Sequence, residues 1–360
     1  MRGYDDIPSP SPLSSPVEGE EVRNGTVAGI AAFTCLSVLF ALLDSSAVNA
    51  QTAREKIRVA LGAISANTAV IPVARDAGIF AKYNLDVEPI YIGGGINSLA
   101  ALTSGDVQFL HAGTTATISA RLGGADVMIL AVQSNRFEYM IFASPEIKSA
   151  KELKGKKVTG TRPGAAADTA MRLFLRKAGL EPDKDVTFIS VAGSQQGRLS
   201  ALQSGFISAT PLAPPFSSMA REAGFTMLAD MRKQEIQYAG SSVAAMGPYI
   251  KTHADLVERF LKGYVEGTFF YKTNKEETLR SIMKYMRMSD RARAEEGRSY
   301  YAEIMPDMPY ATPEGIQAVL DFLAVKQTKA ASMRPREFFD MSVLKKIEES
   351  GFLKSLHARR

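Results

Sequence analysis

Hydrophobic and polar positions follow two alternating periods from Lys56 onward. Short β-branched runs such as KIRVALGAI predict strands, and the following segment TAVIPVARDAGIFAKYN places Val70, Val73, Ala74 and Ala77 on one face of a helix. The same order of strand and helix continues through LDVEPIYI, SLAALTSG, DVQFLHAG, TTATISARLGG and DVMILAV. This alternation predicts βαβ units around a largely parallel sheet.

A second series of strands and helices begins at SAKELKGKKVTG, where Ser149 is placed to cap a short helix before a strand at 157–161. It ends with the strand FTMLAD. The segments AALTSG at 100–105 and SALQSG at 200–205 each precede a strand in their own series. We interpret the similarity of these two segments as a sign of two similar α/β lobes. The alternative is that both segments are the ordinary helix stop of any α/β protein.

The chain after Thr252 is almost entirely helical in pattern, and its last long helix is predicted to start at Thr312-Pro313-Glu314. A helical C-terminal tail of this length is expected to pack back on a lobe formed earlier, which makes the first lobe discontinuous. The predicted organisation is a disordered N-terminus and signal peptide at 1–50, a first part of lobe 1 at 51–141, lobe 2 at 142–236, and a second, mostly helical part of lobe 1 at 237–360.

The first fifty residues carry the features of an export signal. Arg23 is followed by the uncharged run VAGIAAFTCLSVLFALL, and small residues stand at Val48 and Ala50. This pattern predicts a signal peptide that is cleaved before Gln51 and a periplasmic location for the mature chain. The alternative is an uncleaved membrane anchor, but the run falls short of the roughly 20 residues that span a bilayer comfortably.

The composition is that of a globular protein, with 46% apolar and 22% charged residues. The single cysteine, Cys35, lies in the apolar run of the predicted signal, so the mature chain is expected to lack thiol chemistry. The net charge of +5 suits anionic ligands or a membrane surface. Because the charges are scattered and not interleaved with aromatic residues, nucleic acid is not an expected partner.

Small and polar residues collect where predicted strands run into helices. In open α/β sheets, ligands bind at these junctions, because helix N-termini direct unpaired N–H groups into the crevice there. The candidate ligand-binding residues are Ser65, Asn67, Thr68, Gly94, Gly95, Asn97, Ser98, Gly113, Thr114, Thr115, Arg162, Gly164, Ala165 and Gln195. The alternative interpretation, that the polar residues are only helix caps, applies to Asn67, Thr68, Ser98, Thr114 and Asp168.

Arg162 is the most informative of these candidates. A guanidinium at a strand end that faces the other lobe can hold a carboxylate, a sulfonate or a similar anion through two parallel hydrogen bonds. A structural ion pair is the competing interpretation for the same residue.

The sequence does not contain a recognisable catalytic constellation. The three histidines, His111, His253 and His357, have no metal-ligand spacing to one another, and a lone histidine in an apolar strand is more often a packed core residue. The G-x-S-x-G pattern of a serine nucleophile does not occur. We therefore predict a binding protein with no catalytic residues, no metal and no cofactor.

Three segments carry a resemblance to a known family. GIFAKYNLDVEPIYIGGGINSLAALTSGDVQF, SAKELKGKKVTGTRPG and GLEPDKDVTFISVAGSQQGRLSALQSG resemble motifs of the nitrate/sulfonate/taurine group of ABC-transporter solute-binding proteins. The likeness runs from about Lys56 to Asp230. It implies an α/β, two-lobed type II periplasmic-binding-protein fold with a discontinuous first lobe, in which two hinge strands join the lobes.

The resemblance also implies a function. Such a protein closes its lobes on a small, anionic (sulfonate, nitrate or carboxylate) or aromatic ligand and delivers it to permease and ATPase subunits, and a monomer is expected. By position, the ligand would meet 65–68, 94–98, 113–115, 162–165 and Gln195. The chain departs from the family where Phe206 to Ala209 replace a V-D-A motif, and it has no tryptophan, so the ligand's identity stays open.

Two alternatives of other classes remain. One is an enzyme on the same fold, a lyase or hydrolase of the menaquinone-pathway type, which should be cytoplasmic. The other is a ligand-sensing subunit for a membrane receptor. The cysteine-rich iron motif of the pyrimidine-synthesising branch is absent from the sequence, which argues against that activity.

Overall fold

The computed structural model describes residues 53–93, 95–160, 166–191, 195–234 and 237–358. The predicted signal peptide and its cleavage point before Gln51 lie outside these ranges. No helix within the ranges is both long enough and apolar enough to cross a membrane.

The first predicted series forms most of one sheet. Its elements in chain order are β1 (Glu55–Leu61), α1 (Val70–Asp76), α2 (Ile79–Lys82), β2 (Leu85–Tyr91), α3 (Gly95–Ser104), β3 (Phe109–Gly113), α4 (Thr114–Leu122) and β4 (Val127–Val132). Val70, Val73 and Ala74 are buried, as the helical pattern predicts. The helix expected across TAVIPVARDAGIFAKYN is divided into α1 and α2, because Gly78 between them adopts a left-handed φ of 69°.

The second series forms most of another sheet. That sheet also contains β5 (Met140–Ala143), which lies before the series. The elements of the series are β6 (Lys157–Val158), α5 (Ala166–Lys177), β7 (Thr187–Phe188), α6 (Gln195–Gln203), β8 (Ala209–Leu212), α7 (Phe216–Glu222) and β9 (Thr226–Asp230). β6 pairs in parallel with β7 and β8, as expected for βαβ units. The strand predicted at 157–161 is shorter than its apolar pattern suggests.

The two sheets share one topology. β10 (Ser241–Met246) returns to the first sheet, whose order is β2-β1-β3-β10-β4, and the second sheet has the order β7-β6-β8-β5-β9. In both sheets the fourth strand is antiparallel to its two neighbours, so each sheet is mixed. AALTSG and SALQSG precede the equivalent strands β3 and β8, which supports the interpretation of two similar lobes.

The helical tail contains more helices than its pattern predicts. Its elements are α8 (Gly247–Thr252), α9 (Ala254–Thr273), α10 (Lys275–Met286), α11 (Arg291–Ile304), α12 (Pro313–Ala324), α13 (Ser342–Glu349) and α14 (Phe352–Ala358). The predicted start of α12 is confirmed, because Thr312 Oγ1 accepts a hydrogen bond from the Gly315 amide at 3.1 Å. We did not predict α8, α13 or α14.

The tail contacts elements of both sheets. Phe80 of α2 stacks on Phe260 of α9, with 5.5 Å between ring centroids. At the other sheet, Arg293 of α11 forms an ion pair with Glu222 of α7 at 2.9 Å. The tail therefore does more than cover the first sheet.

The prediction that Ser149 caps a helix is wrong in its mechanism. Ser149 does precede a 3₁₀ turn at Ala150–Leu153, but its side chain accepts no backbone hydrogen bond. Its Oγ instead donates to Oε1 of Glu152 at 2.8 Å. Glu152 also accepts a hydrogen bond from the Lys148 amide at 3.1 Å, so this carboxylate, and not the Ser149 oxygen, accepts the hydrogen bonds at the start of the turn.

Two crossing segments connect the sheets, 133–139 between β4 and β5 and 231–240 between β9 and β10. They are hydrogen-bonded to each other, since the Gly240 amide donates to the Ser134 carbonyl at 3.0 Å and the Tyr238 amide to the Asn135 carbonyl at 2.9 Å. The predicted lobe boundary after residue 141 falls inside β5, which begins at Met140.

Candidate functional site

The junction after β1 is a tight polar turn. Thr68 Oγ1 donates to the Ala63 carbonyl at 2.8 Å, and the Thr68 amide donates to Ser65 Oγ at 3.3 Å. The next helix, α1, has Ala69 as its N-cap and no side-chain cap. The helix-cap interpretation therefore fails for Asn67 and Thr68 at this helix, and another role has to account for the buried amide of Asn67.

Asn67 connects this turn to the crossing region. Its Nδ2 donates to both carboxylate oxygens of Glu138 at 2.8 Å and to Ser241 Oγ at 3.1 Å. Its backbone carbonyl accepts from Nε2 of Gln133 at 2.7 Å. The residue is only 4% exposed, and its Oδ1 has no hydrogen-bond partner among the described residues.

Glu138, in the first crossing segment, is a buried carboxylate that the sequence analysis missed. Burial raises its pKa to about 7, although hydrogen bonds from Asn67 and Tyr301 act in the opposite direction. Within the described ranges no lysine, arginine or histidine forms an ion pair with it. The only signal in the sequence was an acid between aromatic residues in QSNRFEY, which lies at no strand-to-helix junction.

Gln133 and His111 extend the network into the first sheet. Gln133 Oε1 lies 2.8 Å from Nε2 of His111, which is fully buried. Burial lowers the pKa of His111 to about 4, so the ring is neutral at physiological pH. The interpretation of His111 as a packed core residue agrees with this environment.

The junction after β3 reaches the second sheet through Tyr238. Gly113 is the last residue of β3 and the N-cap of α4, and α4 has no side-chain cap, so the cap interpretation fails for Thr114. The Tyr238 hydroxyl lies 2.8 Å from Thr115 Oγ1 and 3.4 Å from Thr169 Oγ1 of α5. Helices of both sheets therefore meet at one tyrosine of the second crossing segment.

The junction after β1 and the junction after β3 meet at β10. Ser241, the first residue of β10, is opposite Gly113 in the antiparallel pairing and accepts the hydrogen bond from Asn67. Thr114 Oγ1 is buried and has no partner among the described residues. Polar groups from two predicted junctions thus collect beside the crossing segments.

The junction after β2 is bound mainly to its own loop. Ser98 is fully buried and its Oγ donates to the Ile92 carbonyl at 2.6 Å. Asn97 is exposed and donates to the Gly93 carbonyl at 3.3 Å. Gly95 is the first residue of α3, and Gly94 lies outside the described residues.

The junctions of the second sheet are described only in part. Arg162, Gly164 and Ala165 lie outside the described residues, so their predicted contacts with a ligand stay predictions. Gln195, the first residue of α6, accepts a hydrogen bond from the Ala213 amide at 2.6 Å and so ties α6 to the end of β8.

Asp168 of α5 has a structural ion pair. One of its carboxylate oxygens accepts from Nε of Arg172 at 2.9 Å, and both side chains are buried. Arg172 also pairs with Asp183 at 2.7 Å. The charge of Asp168 is therefore balanced by an arginine of its own helix.

Arg198, one turn into α6, is a second residue that the sequence analysis missed. It is 3% exposed, and its Nε donates to the Pro211 carbonyl at 3.2 Å. Burial lowers its pKa, while Tyr139 and Tyr301 raise it. No acid forms an ion pair with it in the described part of the chain. Arg198 and Glu138 are thus buried, oppositely charged groups that both act on Tyr139.

This arrangement has the properties of a polar binding site. Among the described residues, Glu138 is a carboxylate without a basic partner and Arg198 is a guanidinium without an acidic partner. Asn67 and Thr114 each have a buried oxygen without a hydrogen bond in the same described part of the chain. The described residues contain no cluster of three His, Cys, Asp or Glu side chains that could hold a metal ion. Hydrogen bonding and charge complementarity to a small molecule are what such a set can provide.

Comparisons with known proteins identify a family and a set of relatives. Residues 65–278 match the family model described as NMT1/THI5 like. A protein of Brucella abortus (strain 2308) named "Putative binding protein" is 26% identical over 268 residues, which cover 73% of this chain and 80% of that protein.

Two solved structures have the same fold. The periplasmic aliphatic sulphonate binding protein SsuA from Escherichia coli matches with a TM-score of 0.60 and 21% identity, over 77% of this chain and 91% of that chain. The periplasmic nitrate-binding protein NrtA from Synechocystis PCC 6803 matches with a TM-score of 0.64 and 13% identity, over 82% and 88% of the two chains.

These findings confirm the predicted fold class and the resemblance on which it was based. The two mixed sheets, the strand that returns to the first sheet and the helical tail are those of a periplasmic-binding-protein fold. Because the match over residues 65–278 covers more than half of the sequence, the chain belongs to the NMT1/THI5-like family.

Proposed function

We propose that this protein is the solute-binding component of an ABC import system. It is exported to the periplasm after cleavage before Gln51, works as a monomer, closes its two lobes on a small ligand and presents it to permease and ATPase subunits. It binds without chemical conversion. The names of the relatives support this role, since SsuA and NrtA are named as sulphonate-binding and nitrate-binding proteins.

The observation that carries the proposal is the position of Tyr238. Its hydroxyl contacts Thr115 of α4 and Thr169 of α5, so the carboxyl ends of strands from both sheets face a common region beside the crossing segments. A ligand in that region touches both lobes only when they are closed. Binding therefore favours the closed form, since a ligand shifts an equilibrium towards the state that it contacts more extensively.

The charge of the site supports a ligand with an anionic group. Arg198 is a buried guanidinium without an acidic partner among the described residues, and its desolvation is costly unless an anion approaches it. Arg162, four positions after the last residue of β6 in the sequence, is the second candidate for this contact. Sulfonates, nitrate, carboxylates and aromatic acids are the ligands to test.

The experiment is a thermal-shift screen of the protein purified after export. A ligand at a hundredfold excess over its Kd should raise the melting temperature by roughly 5 °C or more. Mass spectrometry of the same mixtures should return the ligand unchanged. Stabilisation by none of the compounds together with turnover of any of them would replace the binding role with an enzymatic one.

The contribution of Arg162 has its own test. Arg162→Ala should weaken binding of an anionic ligand by roughly tenfold or more, because a charged hydrogen bond is lost. Arg176→Ala removes an exposed arginine of α5 and is the matched control. Equal affinity of the Arg162 variant and the parent would rule out an anion contact at that position.

A further inference from the structure

The amide of Asn67 is fixed in one orientation by its neighbours. Both oxygens of the Glu138 carboxylate lie 2.8 Å from Nδ2. An ionised carboxylate can only accept hydrogen bonds, so the group that faces it must be the NH₂ end of the amide. The carbonyl end, Oδ1, is consequently turned away from Glu138.

Other contacts hold Asn67 in place beside Glu138, whose carboxylate alone distinguishes the two ends of the amide. The second acceptor for Nδ2 is Ser241 Oγ at 3.1 Å, and the Asn67 backbone is held by Gln133 at 2.7 Å. Gln133 is itself oriented by His111, whose Nε2 lies 2.8 Å from its Oε1. Asn67 Oδ1 is therefore a preorganised acceptor.

This acceptor is buried, and it is unpaired within the described ranges. Asn67 is 4% exposed, and its Oδ1 has no partner among the described residues. A buried polar atom without a hydrogen bond is unfavourable, and a ligand that supplies the donor removes that penalty. Glu138 cannot supply one while it is ionised.

We propose that Asn67 Oδ1 accepts a hydrogen bond from an N–H or O–H group of the ligand, and that Glu138 is the positioning residue that selects for this donor. The inference rests on the proposed function and narrows its ligand class. The preferred ligand carries an amino, amide or hydroxyl group in addition to any anionic group. Nitrate and unsubstituted alkanesulfonates lack such a donor and are weaker ligands.

The test compares matched pairs of probes that differ only in the donor. Suitable pairs are glycolate and acetate, 3-aminopropanesulfonate and propanesulfonate, and 3-aminobenzoate and benzoate. Calorimetric titration of the full protein at pH 8.5 keeps Glu138 ionised. In at least one pair the donor-bearing member should bind roughly 10- to 100-fold more tightly, because a site with a buried acceptor discriminates against a ligand that leaves it unpaired.

Substitutions at Glu138 and Asn67 assign the preference to this contact. Glu138→Gln can either donate or accept, so the Asn67 amide is free to turn over and the preference should fall to less than threefold. Asn67→Ala removes the acceptor and should also abolish it. Glu152→Gln neutralises an exposed carboxylate that bonds to Ser149, and it is the matched control that should retain the preference.

The outcomes separate this inference from the proposed function. Binding of the probes with equal affinity within every pair would overturn the inference and leave the binding role intact. The same result follows if Glu138→Gln, shown to be folded by its cooperative melting, keeps the full preference of the parent. Failure of every probe to bind would overturn the proposed ligand class together with the inference.

Discussion

Gly160, two residues after the end of strand β6, lies so close to the start of α5 that a Cβ on it would stand 2.3 Å from the Cα of Asp168. The same atom would lie 2.6 Å from the Asp168 amide nitrogen. Both neighbours are backbone atoms, which no side-chain rotation can move. The absence of a side chain at Gly160 is what allows the helix to approach the strand end at the second sheet's first junction.

We predict that Gly160→Ala lowers the free energy of unfolding by about 3 kcal/mol, because the backbone itself must shift to admit the methyl group. Gly113→Ala is the matched control, since no atom lies within 4 Å of its Cβ position. Urea unfolding of the two variants and the parent measures the difference. Equal stability of the two alanine variants would contradict the close approach.

Tyr238→Phe should loosen the connection between α4 and α5. The substitution removes the hydroxyl that contacts Thr115 at 2.8 Å and Thr169 at 3.4 Å, and it leaves both threonines buried. We expect a loss of about 1–2 kcal/mol in the free energy of unfolding, typical of a buried hydrogen bond whose partners remain. Urea unfolding measures this loss.

Tyr91→Phe is the control for that experiment, because Tyr91 is 51% exposed and its substitution should change the free energy of unfolding by less than about 0.5 kcal/mol. If both tyrosine variants unfold at the same urea concentration as the parent, the bridge through Tyr238 contributes nothing to stability.

Sequence periodicity determined most of the fold, because the strands and helices that form the sheets bury regular apolar faces. Val70, Val73 and Ala74 illustrate this, since the same spacing that predicts a helix also buries them. The return of the chain to the first sheet at β10 agrees with the discontinuous first lobe that the helical tail and the family resemblance predicted. The short helices α8, α13 and α14 were missed because six to eight residues carry too few turns for a periodic signal.

The candidate site was less accessible to sequence reasoning. Asn67 and Thr115 could be proposed because they stand at strand-to-helix junctions, where helix N-termini and strand ends converge. Glu138, Tyr238 and Arg198 stand elsewhere in the chain. Their roles depend on which distant residues they meet, such as the 71 positions that separate Asn67 from Glu138, and no local pattern encodes such a contact.

His111 makes the protein sensitive to acid. Its pKa is about 4 in the folded state and 6.5 when unperturbed, because burial disfavours the charged ring. The unfolded chain therefore binds the proton more readily. The contribution of His111 to stability is complete above pH 6.5, and it falls by on the order of 3 kcal/mol as the pH is lowered to 4.

Replacement by a neutral side chain should remove this dependence. His111→Gln is expected to lose less stability than the parent between pH 7 and pH 4.5, while His253→Gln, at an exposed position, should follow the parent. Urea unfolding at the two pH values provides the comparison. Parallel losses in all three proteins would show that His111 does not titrate on unfolding.

Glu138 changes the stability of the protein with pH in the opposite direction to His111. Its pKa is raised from 4.5 to about 7 in the folded state, mainly by burial, so the folded protein holds the proton more tightly than the unfolded chain. The groups that feel its charge are Tyr139, Tyr238, Tyr264, Tyr300 and Tyr301. The pKa values of these tyrosines are raised as well, so none of them titrates near pH 7.

The stability of the protein without ligand should therefore decrease as the pH rises from 4.5 to 7, by on the order of 3 kcal/mol from this group, and remain lower above pH 7. Glu138→Gln removes the buried charge while keeping the size of the side chain. It should be more stable than the parent at pH 8 and should lose that advantage at pH 5, where the parent is protonated.

Urea unfolding of both proteins at the two pH values measures the effect, and Glu152→Gln corrects for the loss of an exposed carboxylate. A difference between Glu138→Gln and the parent that does not change with pH would mean that Glu138 carries the same charge in the folded and unfolded states. Ionisation of Glu138 at neutral pH would then leave the free energy of unfolding unchanged, and a raised pKa of Glu138 could not lower the stability of the parent.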